Sequence, residues 1–204
     1  MAQKKPAVVV PEGASEVLLH ACCAPCSSAI VEWMLANGVR PVIFYFNPNI
    51  YPREEYEIRK EESKRHADSL QVEWIDGDYD HSAWLETMTG MEQEPERGRR
   101  CARCFEYRLL EAAKVARQRG IRFFTTTLAS SRWKSLEQIT QAGMLAQSRV
   151  EGTTFWAQNW RKGGLYERRY QLLREYAFYN QQYCGCEFSM RPHQQHEDHC
   201  SITE

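Results

Sequence analysis

Short apolar runs alternate along the chain with longer segments in which apolar residues recur at helical spacing. This alternation predicts strands at residues 17–19, 41–46, 72–75 and 121–125. Helices are predicted at residues 27–37, 53–69, 82–87, 101–120 and 135–147. A strand, a helix and a second strand in succession form a right-handed parallel crossover. The pattern therefore predicts an α/β fold, with a parallel sheet, flanking helices and a helical C-terminal part.

Polar or reactive side chains follow each predicted strand. The segments that come directly after the four strands are residues 20–26, 47–52, 76–81 and 125–131. Parallel strands end at the same edge of a sheet, and ligands of open α/β sheets bind at that edge. We therefore expect the functional site there. Asp80 is a candidate proton donor at this edge, although it is equally suited to cap the helix that follows it.

Three cysteines, Cys22, Cys23 and Cys26, lie in the turn between the first predicted strand and the first predicted helix. Free amides and the positive end of a helix stabilise a thiolate at such a turn. A thiolate is a better metal ligand and nucleophile than a thiol. The alternative is that three small residues simply fill a tight turn, because cysteine is often buried and inert. Their clustering favours the reactive interpretation.

Two further cysteine pairs have their own chemistry. Cys101 and Cys104 open a helix with Cys-x-x-Cys spacing, so both sulfurs can converge on one metal or exchange with each other. Cys184 and Cys186 are so close in sequence that a bridge between them is strained and easily reduced. This last pair suits electron transfer better than stability.

The cysteines fit two kinds of metal centre. Cys22 and Cys23, together with Cys101 and Cys104, supply the four thiolates that either a [4Fe-4S] cluster or a structural zinc requires. Spacing alone does not choose between them. A zinc ion would leave Cys26, Cys184 and Cys186 without a role. An iron–sulfur cluster that feeds electrons to a site lined by thiols would use all seven cysteines of the folded part.

The length of 204 residues suits one domain, which we place at residues 17–190. A polar N-terminal arm (1–16) precedes it, and a His-rich polar tail (191–204) follows it. The longest apolar runs are too short for a membrane span or a signal-peptide core, which predicts a cytoplasmic protein without a membrane partner. In that reducing compartment, eight cysteines favour metal or redox chemistry over a disulfide scaffold.

The formal net charge of −1 conceals a strong asymmetry. Residues 97–175 contain 17 of the 26 Lys and Arg residues but 6 of the 27 Asp and Glu residues. A basic region interleaved with aromatic residues is typical of a nucleic-acid surface, and charged stretches are also common on solvated helix faces. Composition alone leaves both interpretations open.

Six segments taken together resemble the epoxyqueuosine reductase family of the QueH type. They are Val-Leu-Leu-His-Ala-Cys-Cys-Ala-Pro-Cys at 17–26, Phe-Asn-Pro-Asn-Ile at 46–50, the Cys-x-x-Cys helix, Thr-Thr-Thr-Leu at 125–128 with Ser131, Trp-Arg-Lys-Gly-Gly at 160–164, and Tyr-Cys-Gly-Cys at 183–186. The likeness covers residues 17–189 in a single order, so it is far more specific than any one motif.

The resemblance implies an oxidoreductase that acts on the modified wobble base of tRNA. The enzyme would reduce the epoxide of epoxyqueuosine to the alkene of queuosine, which takes two electrons and two protons and releases water. The resemblance also implies a fold like the nucleotide-binding α-hydrolase (HUP-like) superfamily. Cysteines stand here in the turn that grips a nucleotide phosphate in those relatives, so ATP use is not expected.

The resemblance further implies a [4Fe-4S] cluster bound by the vicinal cysteines and the Cys-x-x-Cys pair, with room for an additional iron ion. On this hypothesis Cys22, Cys23, Cys101 and Cys104 hold the cluster. Cys26 then lies nearest the substrate or a second iron.

The remaining roles follow from the same hypothesis. Cys184 and Cys186 supply reducing equivalents or are oxidised in turnover, and the electron donor that serves them is not identified. Asp80, or its neighbours Asp78 and His81, acts as the proton donor. Five basic residues hold the anticodon stem-loop of the tRNA, whose splayed wobble base enters the pocket. These are Arg99, Arg100, Arg132, Lys162 and Arg168.

Two other functions fit parts of the pattern. A zinc-stabilised RNA-binding module without catalysis would contain zinc and no iron. A sulfur-transfer enzyme of the tRNA-thiolating kind would depend on ATP and add sulfur to its product. The reductase, in contrast, removes oxygen from the tRNA nucleoside.

Overall fold

Five parallel strands form one sheet in the computed structural model, which describes residues 8–190. The strand order is β3-β2-β1-β4-β5. The strands are β1 (Glu16–His20), β2 (Arg40–Tyr45), β3 (Trp74–Asp76), β4 (Phe123–Thr126) and β5 (Thr154–Phe155). The predicted α/β fold with a parallel sheet is confirmed, while its assignment to the HUP-like superfamily stays a prediction.

Six α-helices and two short 3-10 turns connect and flank the strands. The helices are α1 (Ala24–Ala36), α2 (Arg53–Ser69), α3 (His81–Glu86), α4 (Arg99–Gln118), α5 (Leu136–Arg149) and α6 (Leu165–Glu175). The 3-10 turns are Thr127–Ser130 and Glu187–Ser189. The predicted helices are confirmed to within a few residues at their ends. Strand β5 was not predicted, because two residues are too few to make an apolar pattern.

The helices form two layers, as right-handed crossovers on an all-parallel sheet require. Helices α1, α2 and α6 pack beside one another, and α4 packs on α5. The strands between them are buried, with Val17, Leu18 and Leu19 of β1 fully inaccessible. Strand β1 therefore runs through the centre of the core, as a near-continuous apolar run predicts.

Helix α2 is rich in charged residues, which is typical of a solvent-facing helix, yet one of its faces is buried. Its residues Glu55, Arg59, Glu62 and His66 are buried at spacings of three and four, so they line one face. The chain after α6 packs on that face. We call residues 176–187 the C-terminal strap.

The ends of the chain fall partly outside the described residues. Val8 and Val10, in the predicted N-terminal arm, are half-buried against the core. The predicted His-rich tail, residues 191–204, lies outside the described residues. No helix among residues 8–190 is long and apolar enough to cross a membrane.

Candidate active site

The Cys22–Cys26 turn lies where the strand order of the sheet reverses. Strand β1 pairs with β2 on one side and with β4 on the other. The connection after β1 enters α1 in one layer, and the connection after β4 leads to α5 in the other. The crevice between two such diverging connections is the usual ligand site of an open α/β sheet. The three thiols therefore occupy the expected binding position of this fold.

The sulfur atoms of Cys22, Cys23 and Cys26 all lie within 4.8 Å of one another. Among the residues that the structure describes, no other group of three or more His, Cys, Asp and Glu side chains converges in this way. The Cys22 and Cys23 sulfurs are 3.7 Å apart. Cys23 is the N-cap of α1, and its side chain makes no capping hydrogen bond. The helix amides thus face a sulfur cluster rather than a capping oxygen, which favours negative charge on it.

A buried histidine fixes the strand end from which this turn departs. His20 is fully inaccessible; its Nε2 lies 3.1 Å from the Phe46 carbonyl oxygen and its Nδ1 lies 2.8 Å from the Thr126 hydroxyl. Because a carbonyl only accepts, Nε2 carries the proton and Nδ1 accepts from Thr126. Burial, helped by the charge of Arg108, lowers the pKa of His20 to about 3, so the ring is neutral. One side chain thereby joins β1, β4 and the end of β2.

Asn47 and Arg108 hold the backbone of the turn itself. The Asn47 amide donates to the Ala21 carbonyl at 2.9 Å, and the Arg108 guanidinium donates to the Asn47 side-chain oxygen. All of these groups are buried. Buried polar groups joined in this way restrict the turn to a single conformation.

Thr127 supports Cys22 twice. The Cys22 amide donates to the Thr127 hydroxyl oxygen at 3.1 Å, and that hydroxyl donates to the Cys22 sulfur at 3.3 Å. Hydrogen bonds from Cys23 and Cys26, together with the charge of Lys134 and the bond from Thr127, hold the pKa of Cys22 well below its usual value. Burial instead raises the pKa of Cys23. Of these thiols, Cys22 is therefore the first to lose its proton.

Two cations face the trio from other elements. The Arg169 Nε, on α6, donates to the Pro25 carbonyl at 3.0 Å, and the nearby Cys26 charge raises the pKa of Arg169. Burial lowers the pKa of Lys134, but the charges of Cys184, Cys22 and Cys26 outweigh burial and raise it. Both residues offset the negative charge that thiolates or a thiolate-bound cluster would bring into this crevice.

Cys101 and Cys104 lie in the first two turns of α4, at the same edge of the sheet. Helix α4 returns the chain between parallel strands, so it runs against them and begins where they end. The Cys101 sulfur accepts the Arg97 amide at 3.3 Å. Cys104 is buried against Trp84 and Met88, with Cys186 packed beside them. Burial raises the pKa of both α4 thiols, and both respond to the charge of Cys184.

Cys184 and Cys186 lie on the C-terminal strap and are free thiols. The Tyr51 amide donates to the Gly185 carbonyl at 2.8 Å, and Arg59 of α2 lies beneath. Gly185 has φ +108°, and a Cβ there would lie 2.9 Å from the Arg59 guanidinium. Any other residue at position 185 would be strained and crowded. Glycine thus lets the two cysteines come close to α2.

The structure groups the cysteines somewhat differently from the hypothesis drawn from the sequence. It brings Cys26 directly against Cys22 and Cys23, whereas Cys104 packs beside Cys186. The charges of Cys184, Cys22 and Cys26 all raise the pKa of Lys134, which links the turn and the strap through this residue.

The predicted proton donors lie near the strap. Asp80 is exposed and caps α3, where its Oδ1 accepts from the Ala83 amide at 2.9 Å. His81 Nδ1 lies 2.7 Å from the Pro48 carbonyl, and Nε2 lies 2.9 Å from a Glu187 carboxylate oxygen. Both partners of His81 are hydrogen-bond acceptors.

Two of the five predicted RNA-binding residues are engaged within the protein. Arg100 is 3% exposed, and its Nη1 donates to three backbone carbonyls, those of Met91, Glu92 and Glu94. The bond to Glu92 is 2.8 Å long. Arg168 binds Glu32 through two hydrogen bonds, of 2.8 and 2.9 Å, and also binds Glu175. Helix α4 turns the Arg100 side chain inward, which does not favour its predicted contact with RNA.

The other three predicted RNA-binding residues are more accessible. Arg99 is exposed and pairs with Glu94, Arg132 is exposed, and Lys162 is half-buried. They remain available to contact a ligand.

Sequence reasoning missed several residues that shape the site: His20, Asn47, Arg108, Lys134 and Arg169. Two of them carried a signal. His20 and Asn47 directly follow buried strands at the ligand edge, which is where polar residues hold ligands or turns. The three cations look like ordinary surface charges on helical or loop patterns, and only the tertiary fold turns them toward sulfur.

The donor set fits an iron–sulfur cluster. Thiolates are the soft ligands that iron–sulfur clusters and zinc prefer, and the cations around them offset the negative charge of such a group. The spread of thiols over β1-α1, α4 and the strap suits a group larger than a single ion.

A family model and several relatives that match this chain carry the same name. The family model described as epoxyqueuosine reductase QueH matches residues 17–192. A protein of the same name from Histophilus somni is 43% identical over 187 residues, which cover 92% of this chain and 77% of the relative. Those from Haemophilus influenzae and Acinetobacter baylyi are each 44% identical over 182 residues, covering 89% of this chain and 74% and 84% of the relatives, respectively.

Proposed function

The chain belongs to the epoxyqueuosine reductase QueH family, and on that premise we propose that it reduces epoxyqueuosine to queuosine at the wobble position of tRNA. The observation that carries the proposal is the cluster of three cysteine sulfurs within 4.8 Å of one another at the reversal of strand order. The net reaction breaks two carbon–oxygen bonds, forms a carbon–carbon double bond, consumes two electrons and two protons, and releases water. The tRNA substrate places the reaction in the cytoplasm.

We propose that Cys22, Cys23, Cys101 and Cys104 hold a [4Fe-4S] cluster, and that Cys26 faces the substrate or an additional iron ion. The support is that the first two cysteines adjoin Cys26 and that α4 brings the other two to the same edge. When bound, an iron–sulfur cluster supplies electrons and an iron ion acts as a Lewis acid.

The chain's own residues prepare this space for an anion. The buried bonds of Asn47 and Arg108 hold the turn, and Lys134 and Arg169 stabilise negative charge on the sulfurs. Such fixed charges need no rearrangement during the reaction.

Cys184 and Cys186 are proposed to provide the electrons. Oxidation of these two thiols to a disulfide releases two electrons and two protons, which matches what the epoxide consumes. The disulfide must then be reduced by a thiol or dithiol reductant. The exposure of Cys184 gives such a reductant access.

Asp80 remains a proposed proton donor, and His81 is the alternative beside it. The hydrogen bond of His81 to Glu187 places its ring next to the residue after Cys186. Protons released from the strap thiols thus have an acid–base group close by.

Arg99, Arg132 and Lys162 are proposed to contact the phosphates of the anticodon stem-loop. They belong to the basic region of the sequence and, unlike Arg100, are not buried; Arg99 pairs with Glu94, but its side chain is 78% exposed. Arginine and lysine on an accessible surface supply the electrostatic part of RNA binding.

The decisive experiment is anaerobic incubation of the reconstituted protein with a reductant and tRNA that contains epoxyqueuosine. Mass analysis of the nucleosides should show conversion to queuosine, a loss of oxygen without a gain of sulfur. A protein that contains zinc but no iron or sulfide, and leaves the nucleoside unchanged, would support an RNA-binding module instead. A product that gains sulfur in the presence of ATP would support a sulfur-transfer enzyme.

A further inference from the structure

Trp133 is the most exposed large aromatic side chain among the described residues, with 65% of its surface accessible. It belongs to the loop of residues 131–135 between the Thr127–Ser130 turn and α5. The Arg132 guanidinium lies 4.7 Å from the centre of the Trp133 ring. An indole this exposed offers a large, flat surface that a ligand can contact.

Two arginines from other parts of the chain hold this loop by its carbonyls. Arg97 donates from Nε to the Trp133 carbonyl at 2.8 Å and from Nη2 to the Arg132 carbonyl at 3.0 Å. Arg161 donates to the next carbonyl, that of Lys134, at 2.9 Å. Three consecutive carbonyls are therefore fixed, which limits the loop to one backbone conformation. The exposed indole stands on a rigid base.

Arg97 also connects the loop to the cysteines. Its amide donates to the Cys101 sulfur, while its own carbonyl accepts from Gln138 of α5 at 2.7 Å. Lys134 follows Trp133 in the loop, and the charges of Cys184 and Cys22 raise its pKa. Neighbouring side chains on one loop thus face opposite ways, the indole to solvent and the ammonium to the thiols.

We propose that Trp133 is a stacking platform for an unpaired base of the anticodon loop, next to the wobble base that enters the thiol-lined space. This inference rests on the proposed function and adds a residue that recognises the substrate. Flat aromatic rings stack on any unpaired base, and neighbouring arginines contact the phosphates. Arg132 and Arg97 supply that charge beside the ring. A protein partner is less consistent with the surroundings, because the side chains that hold the loop and contact the ring are arginines.

The test compares Trp133→Ala and Trp133→Phe, with Met144→Ala as the control. Met144 is 48% exposed on α5 and takes no part in the site. The probe is a fluorescently labelled anticodon stem-loop RNA, and Kd is measured by anisotropy at several salt concentrations. Trp133→Ala should weaken binding by about 5- to 100-fold, the usual effect of losing one base–aromatic stack. Trp133→Phe should retain most of the affinity, and Met144→Ala should match the unmodified protein.

Salt dependence separates stacking from charge. Stacking releases no counterions, so Trp133→Ala should leave the slope of log Kd against log salt unchanged, whereas Arg132→Gln should reduce it. A Trp133→Ala variant with unchanged RNA affinity would overturn the inference. So would a changed slope, which would make Trp133 merely a support for Arg132. Unchanged RNA affinity with slower reduction by a protein reductant would assign the indole to a protein partner and would likewise overturn it.

The same experiment distinguishes failure of this inference from failure of the proposed function. If the unmodified protein binds the RNA and converts epoxyqueuosine while Trp133→Ala does both equally well, only the stacking role is wrong. If the unmodified protein neither binds the RNA nor converts the nucleoside, the proposed function fails and the stacking role fails with it.

Discussion

Two cysteine-bearing regions contribute to one site but are held by different forces. The turn with Cys22, Cys23 and Cys26 directly follows the central strand of the core; Cys23 and Cys26 are buried, and Cys22 is half-buried. The C-terminal strap, with Cys184 and Cys186, has no regular structure before its final 3-10 turn and lies over α2. The turn belongs to the central sheet and its first helix, whereas the strap packs on the outside of α2.

Many contacts of the strap are polar, although Phe178 is buried in the main core and Cys186 packs beside Trp84 and Met88. Arg59 donates to the Tyr183 and Cys184 carbonyls, Glu62 accepts from the Tyr179 amide at 2.7 Å, and Glu55 accepts from the Tyr179 hydroxyl at 2.8 Å. Polar contacts contribute less net stability than apolar burial, because water can replace them. The strap can therefore open at a lower free energy than the turn, which suits thiols that must meet an external reductant.

Cys22→Ser should have the largest effect, because it removes the thiol whose pKa the site lowers most. We expect the anaerobically reconstituted variant to lose its iron and all conversion of epoxyqueuosine. Iron and sulfide analysis with the visible absorption spectrum measures the first, and nucleoside mass analysis the second. Full iron content in this variant would contradict the assignment of the turn as the holding region.

Cys184→Ser should instead separate iron content from turnover. The variant should keep the iron content and spectrum of the unmodified protein, because the strap is not proposed to hold the cluster. It should lose sustained conversion, because a single remaining thiol cannot form the intramolecular disulfide. Loss of the cluster in Cys184→Ser would mean that the strap, not only the turn and α4, supplies ligands.

These two regions also show what sequence patterns can and cannot predict. The turn is local: an apolar run, a polar turn and a helix pattern occupy one continuous stretch, so both the elements and the clustering of three thiols were predictable. The strap and α2 are separated by more than a hundred residues, and the charged residues of α2 follow the pattern of a solvent-facing helix. Burial of Glu55 and Arg59 follows from their pairing and from the strap, which no local pattern reveals.

The supporting cations illustrate the same limit. Arg108 and Arg169 have the spacing of surface arginines, yet they face Asn47 and the Cys26 turn. Their positions depend on how α4 and α6 rotate when their apolar faces pack. Arg100 illustrates it as well, since it lies in a basic stretch of the sequence but the start of α4 buries its side chain.

Arg59→Met should weaken the strap while sparing the turn. The Arg59 Nε lies 2.7 Å from a Glu55 oxygen, and the two side chains are 2% and 9% exposed. Removing one partner of such a buried pair costs about 3 kcal/mol or more, because the other charge stays buried without it. We expect faster amide hydrogen exchange at residues 176–187 and slower turnover.

Arg53→Met is the matched control for that variant. Arg53 pairs with Glu57 on the same helix at 3.4 Å, but its side chain is 70% exposed. An exposed pair of this kind contributes about 0.5 kcal/mol or less. Equal exchange in the two variants would show that the buried pair does not hold the strap. The charge of Cys23 helps to raise the pKa of Arg59, so Arg59→Met removes a charge that acts on a proposed cluster ligand. Iron content must therefore be measured in this variant as well.

The smallest expected effect is a dependence of stability on pH through His66. Its ring packs edge-on against Tyr176 and Phe178, with centroids 5.0 and 5.1 Å apart, and neither ring nitrogen has a partner among the described residues. Burial lowers the pKa of His66, and the charge of Glu32 opposes this only in part. The unfolded chain therefore binds a proton near pH 6.5 that the folded protein excludes, so this contribution to stability is present above about pH 6.5 and is lost as the pH falls.

The free energy of unfolding in urea, measured from about pH 7.5 to about pH 5.5, should fall by at most about 1.4 kcal/mol per pH unit for this group. His66→Phe should reduce the slope without removing it, because His20, whose pKa burial lowers to about 3, acts in the same sense in both proteins. Glu62 acts oppositely at the acidic end, since burial raises its pKa, and it too is common to both proteins. Slopes rather than absolute stabilities are compared, because a phenyl ring also changes the packing against Tyr176. Identical slopes would show that His66 takes up its proton equally in the folded and unfolded states, and the strap would then have no protonation-dependent contact at this position.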